Sequence, residues 1–286
     1  GTADTFEVLA PVTLNKKKIE AVIKKTNACI VWGGGVDLAS ADDKMIKIRH
    51  PLRIDPSGML LASIMAKKKA AGATHVLIDI PWGKNAKLET KKEAKELQKN
   101  FFKVGKLLGF KMKVILTDGS QPIGNGIGPA LEAIDVISVL KGDGPNDLRE
   151  KALFMATEAL KLIGEKDAEE KVIAALESGK AYKKFKEIIH AQGGLKHPIL
   201  PKAQFFYNVE AKQEGRITEI NNQRITTIAI LAGAPEEKAA GVYLRVRTNR
   251  WVKKGETLFT VYANTKQNLE TVKSKLKELD PIVYKQ

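Results

Sequence analysis

What most constrains this chain is a change of hydrophobic period across residues 75–116. His75-Val76-Leu77-Ile78-Asp79-Ile80 is a short apolar run closed by Pro81-Trp82-Gly83, a lysine-rich stretch of helical period covers about 89–108, and 113–116 is apolar again. Strand, helix, strand at this spacing predicts a parallel pair, because parallel strands need a crossover of a dozen or more residues, usually a helix. The fold class expected is therefore α/β, a sheet with covering helices. Upstream, Ile19, Val22 and Ile23 predict a helix over 15–28, and 28–32 read as a short buried strand ended by Gly33-Gly34-Gly35. Asp55-Pro56 opens a further helix that runs to about Ala71, where Gly72 stops it. Residues 129–191 are helical, broken at 142–145, Gly164 and Gly179.

After His197-Pro198 the pattern changes. Short alternating runs at 216–220, 224–230, 241–246 and 257–262 predict strands, and a helix follows at about 265–278. A boundary near residue 200 is expected, with a small β-rich (α+β) domain over 201–286. Within it, Arg250-Trp251-Val252-Lys253-Lys254-Gly255-Glu256-Thr257 resembles the hairpin turn of barrel-sandwich domains, lipoyl and biotinyl carriers included. The opposite hairpin lacks a Met-Lys-Met or Asp-Lys-Ala turn, so a structural domain without covalent cofactor is expected.

Composition removes several function classes. No stretch reaches the roughly 18 consecutive apolar residues of a membrane span, and no secretory pattern opens the chain. The single cysteine, Cys29, cannot form an internal disulfide, which fits a reducing, cytoplasmic setting. The net charge of +15 would suit nucleic acid, but the lysines are spread over many elements with few aromatics between them, so no dedicated nucleic-acid binding is expected. Four scattered histidines and one cysteine offer no metal ligand set. The opening Gly1-Thr2-Ala3-Asp4-Thr5 has no initiator methionine, and the chain is expected to start inside a larger protein.

Two segments invite chemistry. Glycines in Thr117-Asp118-Gly119-Ser120-Gln121-Pro122-Ile123-Gly124-Asn125-Gly126-Ile127-Gly128-Pro129 allow close backbone approach to a ligand, but the spacing departs from a dinucleotide fingerprint and a tight structural turn beneath a cleft is the simpler reading. In the 55–69 segment, Ser63 and Lys67 are four apart and share a helical face, where they offer a hydroxyl and an ammonium. By pattern alone Asp55 also reads as a helix cap, Ser63 as a buried small residue and Lys67 as a solvated charge.

The run 1–7, Ala39-Ser40-Ala41-Asp42-Asp43, the 55–69 segment, Asp79-Ile80-Pro81 through Ala86-Lys87, and Gly119-Ser120-Gln121-Pro122 through Ala133 together resemble the second subfamily of thymidine phosphorylases and its AMP phosphorylase relatives, in register from residue 1 to about 200. The resemblance implies a catalytic α/β domain over 1–200, holding part of a helical domain at about 40–71. It implies phosphorolysis of an N-glycosidic bond: thymidine and phosphate giving thymine and 2-deoxyribose 1-phosphate, or AMP giving free base and ribose 1,5-bisphosphate. Inorganic phosphate is then the co-substrate, with no metal or organic cofactor, and a homodimer is expected. A non-catalytic nucleic-acid-binding module is the rival from another class.

Carried over by position, the resemblance implies that Gly1 and Thr2 belong to the phosphate site and that Asp55 protonates the leaving base. Ser63, Lys67 and Lys87 lie at the nucleobase or nucleotide, and Arg49 matches a base-contacting arginine once a one-residue gap is allowed. Trp82, Lys84 and Asn85 stand where smaller or less polar residues are usual, and Asn125 where a basic residue is common. The family's other phosphate-binding loops have no counterpart in these 286 residues, so little phosphorolysis is expected from the chain alone.

Overall fold

The computed structural model describes residues 1–33 and 57–285. Strands β1 (His75–Trp82) and β2 (Lys111–Asp118) pair in parallel, with His75 opposite Lys111 and Trp82 opposite Asp118. Their crossover is α4 (Lys91–Leu107), which starts on a capping box: the Thr90 hydroxyl accepts from the Glu93 N–H, and the Glu93 carboxylate accepts from the Thr90 N–H. Ala94, Leu97, Phe101 and Gly105 fall three to four apart and form its buried face. Phe101 is fully enclosed, and burial of such a side chain contributes roughly 1.5–3 kcal/mol. Helix α3 (Ser57–Ala70) drives Met65 into the same core.

A second core joins α1 (Thr2–Glu7) and the segment after it to α5 (Pro129–Lys141) and α8 (Lys180–Gln192) through Phe6, Leu9, Val12, Ala133 and Ile189, and α2 (Lys16–Thr26) packs on α8. Helices α6 (Asn146–Leu162) and α7 (Ala168–Glu177) lie between them in the chain. Residues 28–32 were expected to be a buried strand; they join no sheet, and Trp32 is about half exposed. Their polar groups are met elsewhere, since Trp32 N–H donates to the Val12 carbonyl and the Gln192 side chain bonds Ile30 at both its N–H and its C=O. An apolar run this short does not fix its own partner.

The rest of the chain builds two antiparallel sheets. One has the order β3 (Gly126–Ile127), β6 (Gly241–Leu244), β8 (Thr257–Ala263), β4 (Phe205–Glu210); the other the order β7 (Trp251–Val252), β5 (Gly215–Ile220), β9 (Ile282–Lys285). Helices α9 (Asn222–Leu231) and α10 (Lys266–Leu279) close the core between them. The strand expected at 224–230 is therefore a helix. Asn221 caps it by accepting from the Arg224 N–H, while Ile225, Ile228 and Ala229 are buried and Ile230 is exposed. That is a helical face, and packing overrides the β preference of its isoleucines and threonines. Strand β3 comes from the glycine-rich segment and pairs with β6, so main-chain bonding crosses the boundary expected near residue 200.

Candidate functional site

Ligands in open parallel sheets sit at the carboxyl ends of the strands. At that end of β1 and β2 the two turns touch: Gly119 N–H donates to the Trp82 carbonyl, and a Cβ on Gly83 would lie 3.1 Å from Ser120 N. Just below, the Thr117 hydroxyl donates to Asp79 Oδ1 at 2.7 Å, and Lys151 Nζ bonds Thr117 Oγ1 at 2.8 Å and Asp79 Oδ2 at 2.5 Å. This network ties α6 across both strands. Beside it opens a cleft of about 420 Å³ lined by Thr117, Asp118, Gln121, Asp147, Lys151 and Phe154.

The structure brings some of the expected site residues onto one framework. Ser63 and Lys67 stand one turn apart on α3, both half-buried, with Met65 between them in the core; Ser63 is thus not the fully buried small residue that pattern alone allowed. Lys67 passes Gly33, where a Cβ would lie 3.9 Å from Lys67 Cδ. Lys87 is exposed on the turn after β1, which closes by bonds from Gly83 N–H to the Leu88 carbonyl and from Ala86 N–H to the Gly83 carbonyl. Helix α3 and β1 share a core, so Ser63, Lys67 and Lys87 have a common support.

Gly1 and Thr2 lie on the other core, exposed at the start of α1. That helix is fastened by Thr5 Oγ1 donating to Glu132 Oε2 at 2.5 Å, while Glu132 Oε1 accepts from Gly128 N–H, and by Lys238 Nζ 2.7 Å from Glu7. Asp55 and Arg49 lie outside the described residues.

The glycine-rich segment is occupied by its own fastening. Asp135 is nearly inaccessible and accepts from Asn125 N–H at 2.6 Å and Gly126 N–H at 2.7 Å. Burial pushes its carboxyl above the usual range, against the pull of those N–H groups and of Arg247. The Arg247 guanidinium bonds the Gly124 carbonyl, Asn125 Oδ1 and Asp147 Oδ2. Pattern reading marked neither Asp135 nor Arg247, since their partners are spread along the sequence.

A second group missed from sequence reaches the strand-end turns from the C-terminal region. Glu219 Oε2 pairs with Lys84 Nζ at 2.5 Å and its Oε1 accepts from Asn85 Nδ2 at 2.7 Å. Asn221 Nδ2 donates to Asn85 Oδ1, and Asn222 Nδ2 to the Gly119 carbonyl. Hydrogen bonds from Lys84 and then Asn85 hold the Glu219 carboxyl below the usual range. A folded-state pKa below the unfolded value means that this stabilisation is complete above the unfolded pKa, about 4.3 for a free Glu, and is lost as pH falls through the folded value. Glu219→Gln should therefore differ most from wild type in thermal midpoint at neutral pH, and the two curves should converge in acid. Parallel curves down to the acid limit would show that the carboxylate charge contributes nothing.

Among the described residues no helix is long and apolar enough to cross a membrane, and no group of three or more His, Cys, Asp or Glu could hold a metal ion. Residues 216–282 match the family model for the pyrimidine nucleoside phosphorylase C-terminal domain. The chain is similar over 99% of its length to a protein named "Putative thymidine phosphorylase" from Legionella pneumophila (strain Corby), 46% identical with 55% of that protein covered. It is likewise similar over 99% of its length to the AMP phosphorylases of Pyrococcus abyssi, 45% identical with 58% covered, and Thermofilum pendens, 41% identical with 56% covered. The chain thus spans little more than half the length of these relatives.

Proposed function

We propose that the chain belongs to the family of the thymidine and AMP phosphorylases that it matches and that it carries the base-binding part of an enzyme that splits thymidine with inorganic phosphate. The observation that supports this most is similarity sustained over 99% of the chain at 41–46% identity. In phosphorolysis, phosphate attacks C1′ as the glycosidic bond breaks through a transition state of oxocarbenium character. Phosphate must be held in line, and the base must leave protonated rather than as an anion.

In this reading Thr2 and the main chain at Gly1 hold phosphate, and Asp55 donates the proton. Ser63 and Lys67, one turn apart on α3, face the base together with Arg49, and Lys87 adds a cation from the turn after β1. No metal or organic cofactor takes part. The working protein is a cytoplasmic homodimer, with a catalytic domain up to about residue 200 and a β-rich domain after it that packs against the strand ends.

A nucleoside 5′-monophosphate is the second reading. It is favoured by AMP phosphorylases among the relatives and by Lys87, an exposed cationic residue, whose charge suits a 5′-phosphate. Assaying the full-length protein with thymidine, uridine and AMP side by side tests both. The first reading expects thymine and 2-deoxyribose 1-phosphate from thymidine at the highest kcat/KM; faster release of adenine from AMP moves the assignment to the second. Salt-dependent DNA binding without phosphorolysis of any of the three would replace both with a nucleic-acid-binding role.

A further inference from the structure

The six residues 83–88 leave β1 and return to α4 carrying two lysines, Lys84 and Lys87. The turn holds Asn85 in the left-handed region at φ +64°. Glu219 grips it with separate oxygens, one on Lys84 Nζ and the other on Asn85 Nδ2. Because the Lys84 side chain is 70% exposed, that ion pair contributes little by itself. The firmer hold is on Asn85, whose amide donates to Glu219 and accepts from Asn221. Both holding residues are rigidly mounted: Ile217 and Ile220 flank Glu219 in β5 with no exposed surface, Glu219 lies opposite Val283 of β9, and Asn221 also caps α9.

We infer that Glu219 is a positioning residue for substrate binding, which fixes from the C-terminal region the turn that presents Lys87. The inference rests on the reading that Lys87 contacts substrate. It gives the C-terminal region a part in affinity, exerted through Asn85 over a separation of 134 positions along the chain.

The test uses the full-length protein and three variants, Glu219→Ala, Lys87→Ala and the two combined. Glu219→Ala should raise KM about tenfold with kcat within about threefold, the pattern of lost uniform binding. The double variant should be no worse than Lys87→Ala, because both act through one group. Glu219→Gln keeps an acceptor for Asn85 and should stay within about threefold of wild-type KM. Hydrogen exchange should speed at amides 83–88 in Glu219→Ala and not in the cores. KM effects that add in the double variant, or unchanged exchange at 83–88, overturn the inference. Should wild type turn over none of the three substrates, the functional reading fails, and the exchange result alone decides whether Glu219 holds the turn.

Discussion

Replacing Asp55 with asparagine in the full-length protein is expected to lower kcat by roughly 100-fold or more, the usual scale of general acid catalysis, while stability stays within about 1 kcal/mol. Two roles for this residue make opposite demands on its proton. A carboxylate capping a helix sits at the positive end of the macrodipole, which lowers its pKa and keeps it ionised at neutral pH. A proton donor must be desolvated when substrate binds, so that burial outweighs the helix-end effect. Asparagine caps about as well as aspartate yet has no proton to transfer, so the substitution separates the roles. Nucleosides with better leaving groups should lose less, since their bases need the proton less. Wild-type kcat on thymidine, uridine or AMP, whichever is turned over fastest, would leave Asp55 as a cap only.

Gly128→Ala is expected to cost roughly 3 kcal/mol or more in stability, read as a lowered urea midpoint. Gly128 has φ +129°, and a Cβ there would lie 2.4 Å from the Ala240 carbonyl oxygen and 3.1 Å from Gly241 Cα. Neither neighbour can retreat at low cost. Residue 130 donates to the Lys238 carbonyl, Ile127 pairs with Val242, and Gly128 N–H is itself bonded to Glu132. Gly142→Ala is the comparison: at φ +97° and ψ −2° it lies in the left-handed helical region, with nothing within 4 Å of the added carbon, and it should cost about 1 kcal/mol, whereas Gly128 at ψ 150° lies in a region that glycine alone enters readily. Equal losses at the two sites would mean that the contact with Ala240 and Gly241 yields under load and that the backbone at residue 128 relaxes as cheaply as at residue 142.

Much of the first half of the fold was legible because its signals are local. The apolar run at 75–80, the helical period over 89–108 and the run at 113–116 became β1, α4 and β2, the strands two residues longer at one or both ends and the helix slightly shorter. Thr90 with Glu93, Gly72 and Gly142 punctuate helices through bonds and backbone angles set within a few residues. The shared face of Ser63 and Lys67 follows from helical geometry alone, and Asp55 and Arg49, outside the described residues, rest on resemblance only.

Packing between distant segments decided the remainder. Residues 224–230 alternate as a strand would, yet the core accepts Ile225, Ile228 and Ala229 as a helical face once Asn221 has capped it. The apolar 28–32 run found the Gln192 side chain instead of a neighbouring strand. Gly126 and Ile127 form a strand only because β6, more than 110 positions on, offers its edge. Glu219 and Asn85, like Arg247 and Asn125, are ordinary surface-type residues in sequence, with no period or spacing to pair them. Local order along the chain is carried by neighbouring residues, and a sequence states it directly. Contact across such separations depends on the free energy of the whole packed arrangement, and no single segment of this chain encodes it.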